Sequence, residues 1–297
     1  MPCYSNSKFN NKPIIINSFN ITALKNTGSN SIIKTTLITM LAMIWSTGTW
    51  AQAVTIPIET ANNALVLQAD QNKDLKNIYL GKKLDNASEY DHIPGVYNQS
   101  VDYTGLLNSA YTSSGSRNLV EPAITVTHAD GNQSLDLRYV SHKITKISDD
   151  VSLLSVLLKD PVYDLEVELF YRSYYKEDVI EQWSVISHHE KGTVILQKFA
   201  SANLHLKAES YWLRQYHGDW AKEMQPEEER LTHGIKTLDS KLGTRANLFM
   251  PSVFMVSLDK PAGEDEGNVL FGALEWSGNF RVDLEVDNQD NLRIKPF

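Results

Sequence analysis

The chain has almost no cysteine: Cys3 is the single one among 297 residues. It falls within a segment that reads as a removable leader. A processed chain would carry no thiol, so neither disulfides nor thiolate metal sites are expected. Acidic side chains are absent from residues 1–53, where Lys8, Lys12, Lys25 and Lys34 are the only charged groups. Long apolar runs are absent too. The stretch from Leu37 to Trp45 is shorter than the ~20 residues of a membrane span. Small residues follow it, among them Ser46, Gly48, Ala51 and Ala53. Positive flank, short apolar centre and small-residue end are the three parts of a secretory signal, here cut after Ala51 or Ala53. An uncleaved anchor is the competing reading. The Asn-rich first 33 residues are unusual for a signal and fit a start codon further downstream. No cysteine follows the apolar run, which leaves no site for lipid attachment. The expected division is a leader over 1–53 and a domain over 54–297, periplasmic or secreted, with no membrane contact after processing.

Long helical periods are missing as well. With 42% hydrophobic residues, 13 Tyr and 6 Trp, the chain has ample material for a large core, which excludes disorder. Short β-type runs follow one another instead. They cover Ala64–Ala69, Asn77–Gly81, Ala123–His128, Leu135–Val140, Val151–Leu158, Leu165–Tyr171, Val179–Ile186, Val194–Phe199 and Asn203–Leu206. A second set covers Ser210–Tyr216, Leu248–Leu258, Val269–Glu275, Arg281–Val286 and Leu292–Lys295. The pattern predicts an all-β domain of two large packed sheets, without repeats or linkers. The formal charge is −8; removing the four leader lysines leaves 24 basic against 36 acidic residues, or −12. That balance speaks against a nucleic-acid partner and is compatible with an uncharged ligand such as a sugar.

Within Leu119–Lys143, Ala123–His128 and Leu135–Val140 alternate around Ala129-Asp130-Gly131-Asn132, residues that tolerate positive φ, and a β-hairpin is predicted. Two polar excursions interrupt the strands, Lys82–Asn118 with Tyr90, Asp91, Tyr97, Tyr103 and Tyr111, and His217–Arg245 with the cluster Glu227-Glu228-Glu229. Long loops of this kind are where β domains carry function. Trp220 lies in the second, in a Gly-flanked polar context. An exposed indole stacks on the apolar face of a pyranose and donates its N–H to a hydroxyl; packing of the loop on the sheet through the same residue is the alternative. Trp183, Trp212 and Trp276 sit in strand patterns and read as core. His188-His189-Glu190 lacks the two-His helical spacing of a zinc site and reads as a solvated strand end. No metal or cofactor is expected.

Several segments, in order, resemble a known family. They are Glu121-Pro122, His128-Ala129-Asp130-Gly131-Asn132, Asp136-Leu137-Arg138-Tyr139, Gly218-Asp219-Trp220-Ala221-Lys222-Glu223, Asp239–Thr244, and Phe271–Phe280 with Trp276 in a Tyr place. From about Leu65 to Phe297 the chain is similar to the N-terminal domain of family 36 glycoside hydrolases, the bacterial α-galactosidases. One departure is that Thr244–Ser252 lacks the family's Ser-His-Gln triplet. The resemblance implies a β-supersandwich that packs on a catalytic (β/α)8 barrel and helps build homo-oligomers. It also implies α-galactosides as substrates, with Trp220 lining the galactose subsite and Asp91 as the nearest counterpart of an Asp presented to the sugar. The two catalytic Asp residues of such retaining enzymes belong to the barrel, the first in a Lys-Trp-Asp context. This chain has no Lys-Trp-Asp, so it is expected to be a fragment or a truncated form that is inactive alone, with an uncovered apolar patch. Two other readings remain open from the residues: a stand-alone carbohydrate-binding sandwich, and an epimerase similar to galactose mutarotase that uses a His and a Glu.

Overall fold

The computed structural model describes residues 53–93, 107–245, 249–276 and 278–297. Most of the proposed leader, Tyr97 and Tyr103 lie outside them. Seventeen strands are present among the described residues, with helix confined to short turns.

A first sandwich is built from two antiparallel sheets. One contains β1 (Val54–Glu59), β2 (Asn63–Ala69) and β3 (Leu75–Lys82) in that order. Below, β4 (Ile124–Thr127) precedes a meander of β5 (Arg138–Lys146), β6 (Val151–Lys159), β7 (Leu165–Tyr174) and β8 (Val179–His188). The period-two pattern is plain in β7, where Leu165, Val167, Leu169 and Tyr171 turn inward and Glu166, Glu168, Phe170 and Arg172 outward. This alternation is what a strand buried on one face requires. The inward residues meet Ile56, Ile58, Leu65 and Leu67 in one core. A smaller cluster of Ala64, Val66, Ile78 and Tyr90 closes the other face of β2 and β3, with a 3₁₀ turn over Ala87–His92 as its lid.

A second sandwich follows. After β9 (Ile195–Phe199) come β10 (Leu204–Lys207), β11 (Tyr211–His217), β12 (Gln225–Arg230), β13 (Gly234–Ser240), β14 (Val253–Leu258), β15 (Asn268–Ala273), β16 (Phe280–Val286) and β17 (Asn291–Pro296). One sheet runs β10-β17-β16-β13 and the other β12-β11-β14-β15. Between them Leu213, Leu238, Val256, Val282, Leu284, Leu292 and Ile294 form a second core.

The two sandwiches are stitched into one. The amide of Asn77 on β3 donates to the Asn108 carbonyl (2.8 Å), and Ala110 donates to Leu75 (2.9 Å). The side chain of Asn203, just before β10, donates to the Ser109 carbonyl (2.8 Å), and that of Asn77 donates to the Asn203 carbonyl (2.9 Å). A short extended segment thus bridges β3 and β10, and Leu80 packs against both cores.

Three expectations are corrected. The turn after β4 forms as predicted: Gly131 has φ 88°, and His128 and Asn132 are joined by a 2.8 Å bond. Its flanks do not pair with each other, however. β4 pairs with β9, and β5 with β6. Leu135 and Leu137 are buried in the first core instead, where the Gly115 amide bonds the Leu135 carbonyl at 2.9 Å. A Cβ at Gly115 would meet the Leu135 nitrogen at 2.4 Å. Second, His217–Arg245 is not one long loop, because it contains β12 and β13. Third, Glu190 is not a solvated strand end: its carboxylate bonds His128 Nδ1 (2.7 Å) and the Ala129 amide (3.0 Å).

Candidate functional site

The β11–β12 hairpin carries Trp220 at its tip. β11 is fixed by its partner β14, and the polar strand β12 lies along its free edge, with Arg214 paired to Glu228 (2.8 Å) and Gln215 bonded to Glu227 (3.0 Å). Lys236 on β13 takes up Glu229 at 2.5 Å. The three glutamates are therefore committed to pairing along an edge strand, a common protection against strand addition.

The turn between the strands is tightly built. Gly218 donates to the Phe249 carbonyl (2.8 Å), and Asp219 and Lys222 exchange backbone bonds of 3.3 and 2.9 Å. A Cβ at Gly218 would stand 2.7 Å from the Lys222 carbonyl oxygen and 2.9 Å from the Glu223 Cα. Only glycine fits that approach. The Asp219 carboxylate accepts from the Trp220 amide (2.7 Å), and Glu223 accepts from the Ala221 amide (3.1 Å). Ala221 and Met224 adopt positive φ to close the loop. The outcome is an indole 82% exposed on a hydrogen-bonded pedestal. Of the two open readings for Trp220, packing of the loop on the sheet is therefore not the one observed.

A second indole occupies the same end of this sheet. Trp276 follows β15, is 61% exposed, and lies over Gly278 with its ring N–H donating to the Asn279 carbonyl (3.0 Å). A Cβ at Gly278 would come within 2.6 Å of that nitrogen. The Ser252 hydroxyl donates to the Leu274 carbonyl (2.9 Å), which ties the start of β14 to the segment that carries Trp276. The core role expected of Trp276 is thus overturned. Trp183 and Trp212 are not core either. Trp183 stacks on Phe170 (5.1 Å) under the Arg172 guanidinium on the outer face of β7 and β8, and Trp212 lies half-buried opposite Arg230. In each case alternation places the ring on the face opposite the buried leucines. The sequence signal beside Trp276 is Gly278, whose missing Cβ leaves the room that the ring occupies.

Asp91 lies elsewhere. It is exposed on the 3₁₀ turn that caps β2 and β3, a turn anchored by buried Tyr90, whose hydroxyl donates to Glu59 (3.0 Å). That lid belongs to the first sandwich and the Trp220 hairpin to the second, and no described contact joins them. The rim around Trp220 and Trp276 offers two exposed aromatic faces, with the ring N–H of Trp276 already engaged by Asn279. Its carboxylates Asp219 and Glu223 are engaged in shaping the turn, so the arrangement suits binding rather than proton transfer. Among the described residues no group of three or more His, Cys, Asp or Glu is placed to hold a metal ion.

Residues 73–295 match the model of the glycosyl hydrolase family 36 N-terminal domain. The chain is 28% identical over 253 residues to α-galactosidase Mel36A of Lactobacillus acidophilus, covering 77% of this chain and 34% of that protein. It is 24% identical over 237 residues to α-galactosidase 2 of Hypocrea jecorina, covering 75% and 32%. Its fold is similar to that of part of an α-galactosidase from Lactobacillus brevis (TM-score 0.73, 22% identity, 83% of this chain and 36% of that one). A doubly substituted variant of the α-galactosidase AgaA of Geobacillus stearothermophilus, solved in complex with raffinose, is also similar (TM-score 0.70, 22% identity, 82% and 37%). The chain spans about a third of the length of these relatives, and on the family match it belongs to the N-terminal domains of glycosyl hydrolase family 36.

Proposed function

We propose that this domain forms one wall of the sugar site of an exported α-galactosidase, with Trp220 as the stacking residue. The observation that carries the reading is the exposed indole on its pedestal. Trp is highly buried on average, and an indole held out on a rigid turn presents a face on which a sugar ring can stack. Hydrolysis itself is assigned to the portion of the relatives that extends beyond their match to this chain. The domain also contributes contacts between subunits, and Asp91 meets the sugar only in such an assembly, since it sits on the other sandwich.

The test is titration of the 297-residue chain with raffinose, read by the fluorescence difference between the native protein and Trp220→Ala. Saturable quenching in the native chain that disappears in the variant is the expected outcome, together with no turnover of p-nitrophenyl α-galactoside. Identical titration curves for the two proteins would remove Trp220 from the sugar site.

A further inference from the structure

We propose that the cleft beneath edge strand β1 is a second binding site, one that takes a single neutral pyranose ring. It is independent of the Trp220 reading. The cleft opens between β1 and the inner face of β5, β6 and β7, and has a volume of about 250 Å³. Its floor is Ile58, Leu154 and Tyr171, all buried; Ile144 and Tyr175 stand exposed at its mouth. The volume lies just below the ~300 Å³ at which pockets for larger organic ligands begin, so it admits one ring rather than a chain of them.

Polarity narrows the ligand further. Ser173 is 7% exposed and lines the cleft, yet its hydroxyl has no hydrogen-bond partner among the described residues, and neither has that of Ser152. A purely apolar guest would strip water from both hydroxyls and return nothing. Glu59, at the rim, is already balanced by Lys83 (3.2 Å) and accepts from the Tyr90 hydroxyl (3.0 Å). The site therefore has little net charge to offer an ion. Lys83 also lies 5.2 Å from the centroid of the Tyr175 ring and covers one side of it. The remaining demand is for a neutral molecule with an apolar face for Tyr175 and hydroxyls for Ser152, Ser173 and the free lone pairs of Glu59, which is the description of a pyranose.

The experiment is a titration of the ¹⁵N-labelled 297-residue chain with methyl α-galactopyranoside, followed by amide shifts. Expected are saturating shifts at Ile58, Glu59, Ser152 and Ser173 with a dissociation constant in the millimolar range, roughly that of a single-ring ligand with few contacts. Ser173→Leu fills the floor and should abolish them. Tyr175→Ala, at the solvent-facing mouth, should weaken them about tenfold without touching the fold. Trp220→Ala should leave them unchanged. Shifts confined to residues 219–224 would overturn the cleft and leave the Trp220 reading standing. Shifts at the cleft alone would do the reverse, and no saturable shift anywhere would sink both. Persistence of the cleft shifts in Tyr175→Ala at native affinity also overturns the proposal.

Discussion

At the scale of single residues, the segment that announces the family in sequence is held by a buried histidine. His128 presents both ring nitrogens to acceptors, Nδ1 to Glu190 (2.7 Å) and Nε2 to the Ser134 carbonyl (3.0 Å), and its ring stacks on Tyr163 at 3.6 Å. Tyr163 in turn donates to Asp130 (3.0 Å), so the turn is braced from both sides. Burial works against the charge of Glu190, but the Ala129 amide and His128 outweigh it and hold the carboxyl below its ordinary range. A depressed carboxyl stabilises the fold fully above its unfolded pKa, and the contribution is lost as the pH falls through the folded one. Glu190→Gln should therefore lower stability by about 1–3 kcal/mol near neutral pH. It should also show a smaller loss on going to about pH 4 than the native chain. Urea unfolding at the two pH values reads both effects, and an acid slope in the variant equal to the native one would assign that slope to other groups.

Among the elements, the turns matter more than the strands. Asp178, in the β7–β8 turn, has φ 61°. Its carboxylate accepts from the Thr60 hydroxyl, the Asn62 amide (3.0 Å), and the side chains of Asn62 (3.2 Å) and Asn63 (2.8 Å). These bonds, Thr60 foremost, hold its pKa down. One side chain thereby latches the β1–β2 turn to the facing sheet. Asp178→Asn keeps tolerance of the left-handed backbone but exchanges one acceptor oxygen for a donor. It should lower stability by about 1 kcal/mol, and amide hydrogen exchange in β1 should quicken more than in β7. Equal exchange in the two strands would mean that the latch does not hold β1. None of this was legible in the sequence, because the partners lie more than a hundred positions apart. What was legible was alternation: β7 and β16 are read from Leu, Val and Phe at every second place. β12 escaped because Gln225–Arg230 is exposed on both faces and shows no apolar period. The 128–132 turn was read correctly and its hairpin wrongly, since turn chemistry fixes a reversal while pairing is settled by burial of Leu135 and Leu137. Of the rim, Trp220 was visible through its polar, glycine-bearing context, whereas Trp276 was hidden by a strand-like run that ends three residues earlier, at Ala273.

In the molecule as a whole, the second core is backed by a layer of buried charge. The outer face of β16 and β17, opposite the second core, carries Asp283, Glu285, Arg293 and Lys295, and Asp283 and Lys295 are fully buried. Arg293 pairs with Asp287 (2.7 Å), Lys295 with Glu285 (2.7 Å), and Asp283 accepts from Arg281 and Thr237 (2.8 Å each). Beside them burial, with Arg293, pushes His205 down to about 3, so it stays neutral. Burial also lowers the Lys295 pKa against the pull of Glu285. Such pairs add little net stability over an apolar filling, but breaking one leaves an uncompensated charge. Lys295→Met should therefore destabilise by about 3–5 kcal/mol, a large part of what a domain usually possesses. Glu285 also accepts the Glu121 amide (3.2 Å), a bond that a glutamine oxygen can keep. The double variant Lys295→Met with Glu285→Gln should recover most of the loss, because no charge is then stranded and the amide remains bonded. Thermal and urea unfolding of the single and double variants form a closed cycle. A double variant no more stable than Lys295→Met would mean that the pair itself, and not the stranded carboxylate, holds the seam together.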